Sequence, residues 1–341
     1  MHMKHEPGIR TFEDFRVAVT EYRLPRLILT AIELDLFTHI GTGIWSIPEL
    51  AKQVSASERG LRILCRNLAS AGLLIKKRDR YRNSRVGAVE LNAKSPQYRQ
   101  AYLELLREGW ATWSRLTEAV RTGREVDPDT SPDDPVYRRQ FTWAMHYRSV
   151  DTAPRVAAHV PLKGVKTLLD LGGGPGTYAL EFLARHARLR ATLCDRAPAL
   201  EVAKEIAATH KGGARLSYLP LNFMEADVPG QYDVIWYSNV LHIYSPEENQ
   251  ALFKRLVPAL NPGGRLIIQD AFLLDREGLR PAEANLFAGT MLLCTERGDT
   301  YSLSETAGWL RQAGFRRIKS INVKRGTGDW EGGLLEASLS R

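Results

Sequence analysis

The segment Leu168-Leu169-Asp170-Leu171-Gly172-Gly173-Gly174-Pro175-Gly176-Thr177 constrains the fold of this chain more than any other. An apolar run that breaks into glycines around a proline reads as a β-strand, a tight loop and the start of a helix. The glycines permit the turn and let a ligand approach the backbone closely. From Val165 onward, apolar runs alternate with helical patterns: Thr167–Leu171, Ala191–Cys194, Leu216–Leu219, Val234–Tyr237 and Arg265–Gln269. Such alternation means crossover units and a mostly parallel sheet covered on both faces. The tail from Gly332 to Leu339 is available for a last strand.

Before Pro161 the grammar differs. Thr11 to Ile40 carries a helical pattern that Pro25 kinks or divides. Ser46-Ile47-Pro48-Glu49 is a capping box opening a short helix, and Ser55-Ala56-Ser57-Glu58 opens the next, which Gly72 ends. Leu73 to Tyr81, with a polar turn near Arg78, reads as a hairpin. Two short helices and a hairpin make a winged-helix pattern. Ser95 to Arg121 is helical, Thr122 to Pro135 is a loop, and a helix with Phe141, Trp143, Met145 and Tyr147 follows. The expected architecture is α/β: a Rossmann-like domain over 161–341, preceded by a mainly α winged-helix-like domain over 1–95 and a helical connector over 96–160.

Composition narrows the classes. The chain has 341 residues, 44% hydrophobic and 25% charged, enough for two globular domains. No apolar run is long enough to span a membrane, and MHMKHEPGIR lacks a signal peptide's apolar stretch. Cys65, Cys194 and Cys294 are far apart and form no disulfide or zinc pattern, so a reducing, cytoplasmic setting is expected. Forty-seven Lys and Arg against 39 Asp and Glu give a net charge of +8. Lys76, Lys77, Arg78, Arg80, Arg82 and Arg85 crowd one segment, which reads either as a nucleic-acid contact or as a solvated hairpin tip.

Asp195 falls about 20 residues beyond the glycine loop, at a strand end, where a carboxylate accepts ribose hydroxyls. Loop and carboxylate together point to a nucleoside-containing cofactor. Thr177 stands where a dinucleotide fingerprint wants a third glycine or alanine, and Pro175 removes an amide donor a pyrophosphate would use. S-adenosylmethionine (SAM), whose amino-acid end needs close backbone approach and no phosphate cradle, fits better.

Asp170–Gly176, Asp195, Asn239-Val240-Leu241-His242, Asn261-Pro262-Gly263-Gly264 and Ala313-Gly314-Phe315 resemble the class I SAM-dependent O-methyltransferases. More narrowly, they resemble the group with plant caffeate and flavonoid enzymes, hydroxyindole O-methyltransferase and bacterial polyketide-tailoring enzymes. The resemblance covers nearly the whole chain. It implies a homodimer through the N-terminal domain. The eight histidines are scattered and no carboxylate cluster has ligand spacing, so no metal is expected, and neither a membrane nor nucleic acid is the expected partner. It also implies a cofactor set of Asp170, Gly172, Gly174, Gly176, Asp195, Asn222, Phe223 and Ser238. Asn222-Phe223 stands where the family often has Asp-Met, and Ser238 where it often has a lysine.

His242 follows an apolar strand and precedes the helix start Ser245-Pro246-Glu247-Glu248, which puts it at a carboxyl edge of the sheet. Neutral imidazole is a suitable base for an acceptor hydroxyl, and Asp270, ending another strand at that edge, is its expected orienting partner. The family's second orienting carboxylate falls at Thr300, with Asp299 beside it, and its His-Asp-Trp run is here His242-Ile243-Tyr244. By family position two helices line the acceptor site, one with Phe141, Trp143, Met145 and His146, the other with Phe287, Thr290, Met291 and Leu292. Their apolar bulk suits a small aromatic, phenolic or polyketide-like acceptor.

Two alternatives stand beside O-methylation. One keeps SAM but moves the methyl to carbon or nitrogen, or repurposes the scaffold. The other is a winged-helix DNA-binding regulator. The second helix of the winged-helix pattern, with Leu61, Ile63, Leu64, Cys65 and Leu68, is too apolar for a groove reader.

Overall fold

The computed structural model describes residues 8–127, 134–275, 277–321 and 333–339. The chain forms two compact units that divide between Arg107 and Glu108.

In the first unit the N-terminal helical pattern is three helices: α1 (Phe12–Ala18), α2 (Arg23–Glu33) and α3 (Leu36–Ile40). The break falls just ahead of Pro25, which sits in the first turn of α2, where its missing N–H costs nothing. Strand β1 (Trp45–Ser46) leads into α4 (Ile47–Gln53), which opens on the capping box of Ser46 and Glu49. Ser57 caps α5 (Glu58–Ser70), accepting from the Gly60 amide. Strands β2 (Leu74–Lys77) and β3 (Arg80–Asn83) form the hairpin, with Arg78 in the left-handed region at its turn, and β1 adds to β3 as a third antiparallel strand. Short α6 (Arg85–Val89) follows.

The apolar residues of α5 do not describe its surface. Leu61, Leu64, Cys65 and Leu68 are buried in the unit's own core, while its outer face carries Arg59, Arg62, Ile63 and Arg66. The expected apolar surface of this helix is therefore corrected: Leu61, Leu64, Cys65 and Leu68 face inward because their spacing follows the buried stripe, and of the five named residues Ile63 is the exposed one.

Helix α7 (Gln100–Trp113) carries the chain across the division. The expected continuous helix to Arg121 is interrupted at Ser114–Arg115 and resumes as α8 (Leu116–Thr122). The second unit continues with α9 (Pro135–Ser149) and α10 (Ala153–Ala157), then β4 (Thr167–Leu171), α11 (Thr177–Arg185), β5 (Arg190–Asp195), α12 (Ala197–Ala208), β6 (Leu216–Pro220), β7 (Tyr232–Ser238), α13 (Pro246–Leu256), β8 (Leu260–Asp270), α14 (Ala282–Cys294), α15 (Leu303–Gln312), β9 (Arg317–Ile321) and β10 (Gly333–Ser338).

The sheet order is β6-β5-β4-β7-β8-β10-β9. Strands β4 to β8 run parallel, and β10 pairs antiparallel with both β8 and β9. Alternation along each strand feeds two cores. Leu168, Val234, Trp236 and Ile267 pack on one face with α10, α11 and α12. Leu169, Leu171, Ile235, Tyr237, Leu266 and Ile268 pack on the other with α13 and α15. The order reverses between β4 and β7, and at such a switch the carboxyl ends of the strands open a crevice.

Inside the first unit, buried Asn83 Nδ2 donates to the carbonyls of Phe37 (2.8 Å) and Gly41 (3.0 Å), fastening α3 to the hairpin. Asn83→Leu removes both bonds, although Phe37 O keeps the Gly41 amide, and is expected to lower unfolding stability by about 1–3 kcal/mol, read by urea denaturation. An unchanged midpoint contradicts that role.

Candidate active site

Four adjacent strands deliver their ends to the same crevice. β4 ends at the glycine loop, β5 at Asp195, β7 at Ser238 and β8 at Asp270. Register holds them level: Leu171 lies opposite Cys194 and Tyr237, and Ser238 lies opposite Gln269. The Gly172 amide donates to Cys194 O, and the Asn239 amide to Gln269 O, each at 2.8 Å.

The loop's glycines are sterically required. Gly172 and Gly174 adopt φ of +69° and +52°. A Cβ at Gly173 would lie 2.4 Å from Asp170 Cγ. At Gly174 it would meet nothing within 4 Å, so that side of the loop is open to a ligand. Gly176 takes the left-handed conformation immediately before α11. Asp170 is 1% exposed, and neither carboxylate oxygen has a hydrogen-bond partner among the described residues. Burial, reinforced by the neighbouring Asp195 charge, pushes its carboxyl up to about 8. Asp195 Oδ2 accepts from Gly174 N–H and Oδ1 from Arg196 N–H, both at 2.7 Å. Burial raises its carboxyl, and these two bonds oppose the rise.

Phe223 packs its ring against Gly172 and meets Tyr244 edge-on at 6.3 Å. Asn222 Oδ1 accepts from Met224 N–H at 3.3 Å, ordering the turn that places Phe223. Ser238 belongs to a buried chain: Asn239 Nδ2 donates to its hydroxyl, which donates to Gln269 Oε1, whose Nε2 donates to Tyr178.

His242 is 6% exposed, in a short 3₁₀ turn from Leu241 to Ile243. Its Nδ1 is 2.8 Å from Asp270 Oδ1, so the shorter carboxylate does reach the ring. Asp270 Oδ1 also accepts from Ala271 N–H at 2.7 Å. Donation from Nδ1 to a carboxylate fixes the neutral ring in the tautomer that leaves Nε2 as acceptor. Asp299 touches His242 through the backbone instead, its N–H donating to His242 O at 3.0 Å while its carboxylate accepts from Thr300 N–H.

The sequence reading missed Asn249. This fully buried side chain reaches the carbonyls of Leu241, Tyr244 and Ser245, each at 3.0 Å, and accepts from Tyr237 O–H. It holds the His242 turn. The one available signal was an amide on the buried face of α13, between Ser245 and Leu252.

The acceptor residues divide. Phe287 meets the His242 ring edge-on at 4.7 Å, and buried Met291 lies one turn further along α14. On α9, Phe141 and Met145 share one face. Trp143 packs against the core containing Trp236, on the opposite side of the helix. His146 Nδ1 lies 2.9 Å from Thr177 Oγ1, linking α9 to the start of α11. Among the described residues no cluster of three or more His, Cys, Asp or Glu has metal-site geometry, and no helix is long and apolar enough to cross a membrane.

Comparison with known proteins identifies the family. The O-methyltransferase domain profile matches residues 113–316, and the O-methyltransferase dimerisation domain profile matches 18–92. The chain belongs to the O-methyltransferase family. It is 32% identical to the mitomycin biosynthesis 6-O-methyltransferase of Streptomyces lavendulae, covering 87% of this chain and 86% of that one. It is 30% identical to the 3-hydroxy-5-methyl-1-naphthoate 3-O-methyltransferase of Streptomyces sahachiroi, covering 86% of each. The structure of a mitomycin 7-O-methyltransferase superposes with a TM-score of 0.78 at 29% identity, over 96% of this chain and 98% of that one. Human N-acetylserotonin methyltransferase in complex with SAM shares the fold, with a TM-score of 0.82 at 21% identity, over 98% and 99%.

The unpartnered Asp170 carries a pH signature. An aspartate ionises near 3.8 in an unfolded chain, whereas here it ionises near 8. The contribution of this group to stability is therefore fully present below about pH 4 and is lost as pH rises through about 8. Asp170→Asn is expected to raise the urea midpoint of the ligand-free protein more at about pH 8 than at about pH 5. A gain independent of pH contradicts the assignment.

Proposed function

We propose that this O-methyltransferase binds SAM across the ends of β4, β5 and β7 and methylates a hydroxyl of a small aromatic acceptor, with His242 as general base. The observation that carries the reading is the orientation of His242. Asp270 engages Nδ1, so the lone pair of Nε2 is available to take the acceptor's proton.

The residues fit the cofactor. Asp170 offers a buried, unpartnered carboxylate to the ammonium of the amino-acid end. Gly174 leaves open space beside the loop, Asp195 retains acceptor capacity for ribose hydroxyls, and the Phe223 ring forms a wall for the adenine. Ser238 and Asn239 put polar groups at the end of β7. When bound, SAM supplies a methyl already activated by its positive sulfur. The chain's own task is alignment and deprotonation. The acceptor oxygen forms the new C–O bond, the C–S electron pair stays with sulfur, and the acceptor proton passes to His242 Nε2. Asp270 stabilises the imidazolium that results. Phe287, Met291, Phe141 and Met145 supply apolar surface for a flat ring, as expected of a pocket for an aromatic. The naphthoate relative acts, by its name, on a hydroxyl of a fused aromatic ring.

In this reading residues 1–95 form the dimerisation domain, 96–160 a connector whose α9 contributes to the acceptor side, and 161–341 the SAM-binding domain. A homodimer gives α1 a partner. That helix buries none of its residues, and Phe12, Phe15 and Val17 are exposed.

Transfer of labelled methyl from SAM to a panel of catechols, flavonoids and hydroxyquinones tests the base. His242→Ala is expected to lower turnover roughly 100-fold or more. Turnover that persists in the variant assigns the reaction to alignment alone and removes the base.

A further inference from the structure

Methyl transfer makes no use of the charge on the first unit. Residues 58–85 hold nine Lys and Arg against Glu58 and Asp79, an excess of seven in a chain whose whole excess is eight. All nine cations are exposed. The chain's positive charge is therefore concentrated in one short stretch of surface, which raises the local potential far above that of the molecule as a whole.

The fold gives that charge a shape. Helices α4 and α5 are joined by residues 54–57, with Ser55 in the left-handed region, which makes a helix-turn-helix. Arg59, Arg62 and Arg66 recur at helical spacing on the outer face of α5, away from its buried stripe, with exposed Ile63 among them. The stripe begins in the first turn of α5 and runs about 10 Å along its axis. The hairpin follows. Tyr81 and Asn83 are buried, so Arg80 and Arg82 point to the other face of β3, where Lys77 lies opposite Arg80. Arg78 sits at the turn.

Local contacts engage few of these cations. Arg80 donates to Ile44 O and to Glu49, and the Lys76 ammonium lies over the Tyr81 ring at 5.7 Å. Arg62 is 3.7 Å from Glu58, an exposed pair that holds weakly in water. Among the described residues Arg59, Arg66, Lys77, Arg78, Arg82 and Arg85 have no carboxylate partner.

The geometry selects among polyanions. A second copy of the chain does not suit this surface, because in a two-fold contact the patch meets itself and like charges repel. Single strands are gripped by stacking on exposed aromatics, and the one aromatic residue of this stretch, Tyr81, is buried. The large apolar residues exposed here are Ile63 and Ile75, which is little to insert into a bilayer. The major groove of duplex DNA admits a helix, whereas that of duplex RNA is too narrow for side chains to read. A helix with a basic outer stripe, second in a helix-turn-helix and followed by a basic hairpin, matches the first of these.

We propose that the first unit binds duplex DNA, with the Arg59, Arg62 and Arg66 face of α5 in the major groove and the Lys77, Arg78 and Arg82 hairpin on the flanking phosphates. The expected objection, that α5 is too apolar, does not hold once Leu61, Leu64, Cys65 and Leu68 are in the core. The proposal stands on the first unit alone and does not depend on the methyl-transfer reading.

The test is fluorescence anisotropy of the full-length protein with a 20-base-pair duplex of mixed sequence, from about 50 to about 200 mM salt. Probes of the same length in single-stranded form, and vesicles containing phosphatidylglycerol, are run beside it. If about five of the cations meet phosphates, the logarithm of affinity should fall with the logarithm of salt at a slope of about −4 to −5, a loss of a few hundredfold across that range. Removing the helix charges (Arg59→Gln, Arg62→Gln and Arg66→Gln together) should weaken binding about tenfold or more and make the slope shallower by about 2–3. Removing the hairpin charges (Lys77→Gln, Arg78→Gln and Arg82→Gln together) should do the same. Removing three exposed cations of the second unit (Arg121→Gln, Arg124→Gln and Arg188→Gln together) should change affinity less than about threefold. No binding at about 50 mM salt overturns the proposal, as does a slope shallower than about −2. Equal weakening by the second-unit variant overturns it too, and so does binding of the single strand or the vesicles as tight as that of the duplex. The wild-type slope and the probe comparison decide even if a variant fails to fold.

Discussion

Register in the parallel ladder β5-β4-β7-β8 is the constraint from which the site follows. Pairing of Leu171 with both Cys194 and Tyr237, and of Ser238 with Gln269, leaves Asp195, the glycine loop, Asn239 and Asp270 emerging at one level. A slip of one residue in any of these strands would exchange the two faces of its apolar set, and both faces are packed. The cores that Trp236 and Tyr237 fill on opposite sides therefore fix the chemistry at the edge.

Two strand-end carboxylates show how that edge is used. Asp270 spends one oxygen on the His242 ring and on the Ala271 amide, which turns a flexible imidazole into an oriented one. Among the described residues neither oxygen of Asp170 makes a full hydrogen bond, and only the Ala179 amide offsets the same burial. Such a buried carboxylate is costly, which fits the proposed role of Asp170 in receiving the ammonium of the cofactor. The turn between them depends on Asn249, which binds three carbonyls around His242, and on Asp299, whose amide caps the His242 carbonyl.

Much of this was legible because it rests on local pattern. Each parallel strand announced itself as an apolar run, and the positive φ at Gly172 and Gly174 corresponds to glycines that no other residue replaces cheaply. What stayed hidden depends on tertiary placement. Strand β9 is a mostly exposed edge with no apolar run to mark it. The break between α7 and α8 has no proline or glycine. Asn249 looks like an ordinary helix residue until the turn it clamps is folded beside it. Trp143 and Phe141 are both aromatic and two positions apart, so only the packing of α9 sends one to the core and the other to the opposite face.

The central claim is that the imidazole held by Asp270 faces an acceptor oxygen beside the bound cofactor. The most direct measurement is NMR of the product formed with SAM carrying a carbon-13 methyl group and a hydroxyaryl acceptor. The account predicts a single product with the labelled methyl bonded to oxygen, and little of it from His242→Ala. A methyl on carbon or nitrogen, or undiminished product from the variant, would contradict it.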